Sequence, residues 1–515
     1  MRSNLFYLPN YNRLKSHIYF IIRIVIFFFA LIPMKVHSIP IQDLDNPSHY
    51  RFIKISKDIY PSMLPFDEIV QVVKIKEVSQ NIYLLIPKNL EIEWRKRNLK
   101  YSILIYPKKF SEIDPAHKIR FNNGCISSRE MLNGYKNNRL NELYLSCIED
   151  EFPGLVKKVS LGLSAGQRNI SALQIRIPQI QLENPKKELI SDRDKIFIHC
   201  SIHSNEIIST EHCYDIIQYI LISGLENPIL QKLEIWIVPI MNPDGSESYW
   251  KDSTNKGRKN GNEVDLNRNF PFQWNSGSSK ASSGNPTSAF YRGNKPGSEP
   301  EIKALLSLFE EHRFFFSLSY HCYANSLLIP YSIEELQNPE PNLLATMGNR
   351  LTKGIFSYRQ DKEFLAKKNL YEVDGTDQDT FFHNFGTYAY LVESSHRVEN
   401  YQKVPLILEG FRPIFKNLLT VYNESWKIRL KIQNEKGIPV QAKIRNNAFE
   451  YFEEEILESN TAGIFNFIAP NSNKVKFEIE ARGYQNKIVE ISPSKDLLNP
   501  ILISMKKAIN SNQSM

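Results

Sequence analysis

The chain has 515 residues, 42% hydrophobic and 23% charged, with a formal net charge of +8. Arg2, Arg13, Lys15, Arg23 and Lys35 stand in residues 1–38 without any acidic residue, so removing that segment lowers the charge to +3 and argues against nucleic-acid binding. The residues that remain are too many for one compact domain, which predicts several folded units.

Residues 1–38 read as a secretory signal peptide, with an apolar run at 18–34 and a plausible cleavage site at 36–38. The run is about seventeen residues long and interrupted by Arg23, which suits a cleaved leader better than a membrane span. Export, to a periplasm or outside the cell, is therefore expected, with membrane attachment only if the segment is retained. Residues 39–125 form an N-terminal region with strand-like alternation at 81–86 and 101–105, read as either propeptide-like or accessory. No dibasic processing site stands out after Cys125.

In the central unit, residues 126–425, Leu140, Leu143, Cys147 and Ile148 fall at helical spacing, and Pro153 with Gly154 ends that helix before a strand at 159–164. Residues 195–200 are β-branched and aromatic and too few for a helix, so they read as a buried strand. His203 and Glu206 lie just beyond it, three positions apart, where both side chains can bend onto one ion. Ser298 with Glu301 reads as a capping box, Pro300 sits in the first turn, and Ile302, Leu305, Leu306 and Phe309 form the apolar stripe. A second buried strand at 314–320 runs into His321, and another ends at Glu393.

Apolar strands alternating with helices predict an α/β fold: a mixed, mostly parallel sheet with helices on both faces. Ligand sites in such sheets collect at the carboxyl ends of strands, where His203, His321 and Glu393 fall. Two imidazoles and one carboxylate leave a tetrahedral zinc with an open position, the arrangement of catalytic rather than structural zinc. Zinc held in this way lowers the pKa of a water molecule to about 7 and polarises a carbonyl.

From 426 to 505 the period changes to two: Ile428, Leu430 and Ile432, then Val440, Ala442 and Ile444, then Val475, Phe477 and Ile479. This predicts a small β-sandwich, followed by a tail at 506–515. The five cysteines have no metal-like spacing. Cys125 and Cys147 can pair in an exported chain, Cys200 and Cys322 read as small core residues, and Cys213 reads as free on a helix. The serine-rich stretch 276–288 reads as a surface loop.

Between the ligands stand NPDG at 242–245 and GRKNGNEVDLNRNF at 257–270, and Tyr371 lies 22 positions before Glu393. With HSNE at 203–206 and the lone His321, these motifs in this order resemble the zinc metallocarboxypeptidases of the A and N/E types, peptidase family M14, over roughly residues 130–425. The resemblance implies one zinc per chain held by His203, Glu206 and His321. It implies that Asn267 and Arg268 bind a peptide's free C-terminal carboxylate, a task suited to a planar, always charged guanidinium. It also implies Arg258 at the oxyanion, Tyr371 closing over the substrate, and Glu393 as general base. Peptide or protein C-termini are then the expected partners.

HSNE stands where the N/E-type enzymes read HGNE, and Asn205 replaces the arginine of the pancreatic type. The β-sandwich resembles the transthyretin-like domain of the N/E branch. Family spacing places the specificity-pocket floor at Ser332 and Gln378. The pair Gln378–Asp379 resembles enzymes that remove C-terminal Lys or Arg, whereas Ser332 supplies no carboxylate; Glu334 and Glu335 stand close by in the sequence. Two rival readings are an amidase acting on peptidoglycan or other modified peptides and a catalytically inactive binding protein. The presence of all three ligands with Arg258, Tyr371 and Glu393 weighs against the second.

Overall fold

A computed structural model describes residues 50–56, 58–59, 73–78, 80–103, 125, 134–177, 193–251, 256–359, 361–368, 370–452, 457–496 and 499–508. The expected signal peptide lies outside these residues. The chain divides into two compact units, Met1–Ile113 and Asp114–Met515.

In the first unit, strands β1 (Tyr50–Ser56), β2 (Val73–Val78), β3 (Asn81–Pro87) and β4 (Tyr101–Ile103) form a sheet in the order β2-β3-β1-β4. Strict alternation puts Ile53, Ile55, Ile82, Leu84 and Ile86 on one face. Leu90 and Trp94 of helix α1 (Lys88–Lys96) cover that face, and Trp94 is fully buried. The alternation expected at 101–105 is a strand as far as Ile103; the next two residues lie outside the described set.

The second unit is built on a sheet of β5 (Val156–Leu163), β6 (Asn169–Ile175), β7 (Asp194–Cys200), β8 (Leu233–Val238), β9 (Phe316–His321), β10 (Ser326–Leu328), β11 (Leu365–Lys367) and β12 (Tyr388–Glu393). Their order is β11-β10-β12-β9-β7-β8-β6-β5. The pairs β10–β11, β9–β12, β7–β9 and β7–β8 are parallel and the other three antiparallel, the mixed and mostly parallel arrangement expected. Side chains sort by the pleat. Ile196 and Ile198 of β7 join the core under helices α3 (Ile207–Gln218) and α8 (Val404–Glu424). Phe197 points the other way, onto helix α5 (Pro300–His312) and Phe381 of α7 (Asp377–Phe385). Helices thus cover both faces. The Phe309 and Phe381 rings stack with centroids 3.6 Å apart, so truncating Phe309 to Ala leaves a cavity costing about 3–5 kcal/mol.

Helix α2 (Asn138–Glu151) is capped by Asn137, whose side chain accepts from Leu140 N, and it ends ahead of Pro153. The expected capping box at α5 is not made. Glu299 occupies the cap, the Ser298 hydroxyl donates to Glu299 instead, and the Glu301 carboxylate accepts from Ala165 N and Asn260 Nδ2. Pro300 at the first helical position has no N–H to satisfy, so a side-chain cap there has less to do.

The cysteine expectation also changes. Cys125 pairs with Cys147, while Cys200 and Cys213, read from the sequence as a core residue and a free thiol, form a second disulfide. Cys200 ends β7 and Cys213 lies on α3, which folds back over that strand and brings the two Cα atoms to 6.3 Å. Cys322 is the buried free thiol among the described residues.

Beyond α8, strands β13 (Trp426–Asn434), β16 (Ile464–Ala469) and β19 (Ile501–Met505) form one sheet. Strands β14 (Lys443–Asn446), β15 (Leu457–Glu458), β17 (Val475–Glu480) and β18 (Lys487–Ile491) form the other. Ile428, Leu430 and Ile432 of the first meet Ile444, Phe477 and Ile479 of the second in one core, as the two-residue period required. This sandwich is fastened to the larger sheet by a buried ion pair, Arg429 with Asp194, whose carboxylate also accepts from the Tyr422 hydroxyl at 2.6 Å.

Candidate metal centre and active site

Strand β7 stops at Cys200, and Ser201 takes a left-handed conformation that turns the chain out of the sheet. The turn is held from several sides: Ser204 Oγ donates to Asn242 O at 2.7 Å, Ser204 N donates to Gly257 O at 2.7 Å, and Asn242 Nδ2 donates to Ile202 O at 3.2 Å. NPDG at 242–245 therefore braces the loop that carries His203. Gly257 has φ +102°, and a Cβ there would lie 2.8 Å from Tyr249 Cβ and 3.0 Å from Asn205 N, so only glycine lets the two loops touch. Glu206 then occupies the cap position of α3.

His321 and Glu393 are the last residues of two neighbouring parallel strands and are partners in register. The three proposed ligands converge. Glu206 Oε1 lies 3.3 Å from His203 Nδ1, and Glu206 Oε2 lies 3.2 Å from His321 Nδ1. Ligand atoms about 2.1 Å from a tetrahedral ion stand about 3.4 Å from one another, so the donor set and its spacing fit zinc. His203, Glu206 and His321 are all buried, where a carboxylate between two imidazole nitrogens is costly unless a cation joins them.

The other nitrogen of His203, Nε2, donates to Asp265 Oδ1 at 2.9 Å, which leaves Nδ1 turned toward the ligand cluster. Asp265 Oδ2 accepts from Arg258 Nη2 at 2.7 Å and Nε at 3.0 Å, and Oδ1 also accepts from Asn267 N at 3.1 Å. Burial alone would raise this carboxyl's pKa, but Arg258, Arg268 and His203 outweigh it and hold the group well below the usual carboxylate range. Sequence reasoning quoted Asp265 inside the DLNRNF motif without giving it a role. The signal was an acid two positions before the Asn267–Arg268 pair.

Arg258 has one nitrogen left over: Nη1 lies 3.5 Å from His203 Nδ1 and 3.9 Å from Glu206 Oε1, beside the ligand cluster. Asn267 Oδ1 accepts from Asp377 N at 2.8 Å, which leaves its Nδ2 as a spare donor. Arg268 donates to Ala281 O and Asn267 O and is buried, yet no carboxylate of the described residues lies within salt-bridge distance of it. Gly375 lets the following loop approach: its φ is +53° and a Cβ would stand 2.5 Å from Arg268 O. Glu393 accepts from Ala324 N at 3.2 Å. Burial, and then the charge of Glu206, raise the Glu393 pKa, with His321 opposing.

A single cavity of about 370 Å³ is lined by all ten residues singled out from the sequence: His203, Glu206, His321, Arg258, Asn267, Arg268, Tyr371, Glu393, Ser332 and Gln378. Ser332 and Gln378, at 6% and 4% exposed, are as buried as the three ligands, whereas Tyr371 is 52% exposed. Phe290, not anticipated, lines the cavity and sets its ring 5.1 Å from the Arg258 guanidinium and 5.6 Å from that of Arg268. Glu334 and Glu335 are exposed and outside the cavity lining, so those acids do not reach the pocket.

Residues 142–428 match the zinc carboxypeptidase family, Peptidase_M14, and the chain belongs to that family. It is similar to Mus musculus carboxypeptidase B2, 26% identical over 291 residues that cover 53% of this chain and 66% of that protein. It is also similar to Mus musculus carboxypeptidase A6, 27% identical over 256 residues, 47% of this chain and 56% of that protein. The chain thus spans less than two thirds of the length of these two relatives. Among solved structures, bovine thrombin-activatable fibrinolysis inhibitor in complex with tick carboxypeptidase inhibitor aligns with a TM-score of 0.48 and 20% identity, covering 56% of this chain and 97% of that one.

Proposed function

We propose that the protein is an exported metallocarboxypeptidase that hydrolyses the last peptide bond of peptides or proteins. The observation that carries this reading is the buried Arg268 guanidinium without a carboxylate partner among the described residues, in the same cavity as the His203–Glu206–His321 cluster and Glu393. A peptide's terminal carboxylate supplies the missing anion, taking charge-assisted hydrogen bonds from Arg268 and one from the spare Asn267 Nδ2. That anchoring sets which bond is cut, because only the last carbonyl then reaches the ligand cluster.

Zinc bound by the three ligands lowers the pKa of water and polarises the carbonyl. Glu393 takes the proton that the attacking water loses and delivers it to the nitrogen of the breaking C–N bond, so that the terminal residue leaves as an amine. Arg258, fixed by Asp265, donates through Nη1 to the carbonyl oxygen as negative charge grows there. Tyr371, half exposed at the mouth, closes over the bound residue.

Two disulfides support export, because such pairs persist in oxidising compartments. Among the described residues no helix is long and apolar enough to cross a membrane. In this reading residues 126–425 form the catalytic domain, 426–505 a transthyretin-like sandwich and 39–125 a propeptide-like or accessory region. The test is zinc-dependent release of C-terminal residues from a mixed peptide set, followed by mass spectrometry before and after limited proteolysis, beside Glu393→Gln. Release that is lost in the variant supports the reading; no release from either preparation refutes it.

A further inference from the structure

Three arginines line the cavity, and two of them are accounted for: Arg258 is paired with Asp265, and Arg268 is the proposed anchor of the terminal carboxylate. The third, Arg397, is exposed and has no carboxylate within salt-bridge distance among the described residues. Its guanidinium lies over the Tyr323 ring, 5.7 Å from the centroid. Both residues are fastened beside the ligand cluster. Arg397 O accepts from Ile208 N at 3.4 Å, two residues past Glu206, and Tyr323, 55% exposed, stands two residues past His321 and also lines the cavity.

A row of donors continues from there. The His396 ring sits 5.8 Å from that of Tyr323 and 4.9 Å from that of Tyr358. Arg359 Nη2 lies 3.3 Å from His396 Nε2, and because a guanidinium can only donate, Nε2 accepts and the imidazole keeps its proton at Nδ1 as a donor. Arg359 is exposed, donates through Nε to the Tyr358 hydroxyl at 2.7 Å, and likewise has no carboxylate within salt-bridge distance among the described residues. Asp361, two positions on, is engaged by the Ser357 hydroxyl. The two carboxylates that line the cavity, Glu206 and Glu393, are buried at the ligand cluster. The exposed stretch from Arg397 to Arg359 therefore presents two guanidiniums and an imidazole N–H without an acid to answer them.

Building on the carboxypeptidase reading, we propose that this rim is a subsite for an acidic side chain, in which Arg397 pairs with an aspartate or glutamate one or two positions ahead of the substrate's terminal residue. With the terminal carboxylate on Arg268 and the last carbonyl at the ligand cluster, the residues that precede that carbonyl are the ones left to pass groups fastened beside Glu206 and His321. Stacking on Tyr323 fixes the plane of the guanidinium and leaves its N–H edge for a carboxylate. Arg359 and His396 lie farther along the row and add positive potential and a further donor. The rim thus selects by what stands upstream of the cut bond, independently of which residue is released.

Equilibrium binding separates this inference from the question of turnover. The zinc-loaded Glu393→Gln protein is titrated with peptides that share one terminal residue and carry glutamate, glutamine or lysine at the penultimate position or at the one before it. The titration is repeated with Arg397→Gln and Arg397→Lys added singly, with zinc content and thermal melting as folding controls. At one of the two positions glutamate is expected to bind about 2- to 5-fold tighter than glutamine, the scale of an exposed ion pair, with lysine weakest. The preference shrinks as salt is raised. Arg397→Gln brings the glutamate-to-glutamine ratio close to one, and Arg397→Lys keeps part of it. Equal affinities at both positions, a preference for lysine, or a ratio that Arg397→Gln leaves in place overturns the proposal. Hydrolysis of the same peptides by the unsubstituted enzyme is read separately: a glutamate preference in binding without release leaves the rim assignment standing and removes the carboxypeptidase reading, and release without the preference does the reverse.

Discussion

Two parts of the site, the ligand cluster and the pocket floor expected at Ser332 and Gln378, bury their acids equally and treat them oppositely. At the ligand end Glu206 sits between His203 and His321, Asp265 is held by Arg258 and His203, and both carboxyls lie well below the usual range. At the pocket end Asp379 is just as buried, has only neutral donors, and is pushed up to about 7. Desolvation is the largest influence in all three cases, so burial does not decide the sign; the presence of a cation does. Cations beside Glu206 and Asp265 lower those carboxyls, and the lack of one beside Asp379 raises it.

The contrast can be broken most severely at the ligand end. Glu393→Gln keeps the shape and removes the base, so kcat is expected to fall about 10²- to 10⁴-fold with zinc content unchanged by metal analysis. A small loss of rate would instead remove Glu393 from the proton transfer. Asp265→Asn removes the charge and one of the two acceptor oxygens that hold His203 Nε2 and Arg258, and competition with a chelator should record zinc binding weakened about 10- to 100-fold. Because the Asp265 pKa is lowered on folding, its stabilisation is present above the unfolded value and lost as pH falls toward the folded one. The Asn variant should therefore melt below the parent at pH 7, with the gap narrowing under acid conditions.

The pocket end predicts the opposite sign. With the folded Asp379 pKa at about 7 against about 3.9 for an unperturbed aspartate, folding binds a proton there, so stability is greatest at low pH and is lost as pH rises through that interval. Asp379→Asn removes that loss. It should melt above the parent at pH 8, by roughly 1–3 kcal/mol in stability, with a smaller advantage at pH 5. A variant less stable than the parent at pH 8 would mean that a cation already accompanies Asp379.

Much of this was legible because the chemistry sits at strand ends. Residues 195–200 and 314–320 announce strands by composition, and whatever follows a parallel strand arrives at the same sheet edge, so His203, His321 and Glu393 had to meet. The sandwich was legible from Ile428, Leu430 and Ile432, whose period leaves no helical alternative. What escaped depends on contacts between elements distant in the chain or turned over one another. Cys213 pairs with Cys200 only because α3 folds back over β7. Asp265 is one acid among many until His203 is seen against it. Ser298 and Glu301 have capping-box spacing, but Asn260 and Ala165 claim the glutamate from across the fold. Glu334 and Glu335 are near Ser332 in sequence and face solvent, since adjacency along a chain says nothing about which way a loop turns.

Strand β7 has a different kind of partner at each end. Its first residue, Asp194, is gripped by Arg429 of the sandwich and by Tyr422; its last, Cys200, leads through one turn to His203. Seven residues of strand span about 23 Å, so the C-terminal sandwich and the metal cluster are the two ends of one stiff rod. Cutting the chain at 425 would leave Asp194 as a buried anion stripped of its counter-ion, and the cost of that orphan would fall on the very strand that leads to His203. The sandwich is therefore an anchor of the catalytic sheet as well as its neighbour, and a shortened enzyme would be untethered at the end opposite its chemistry.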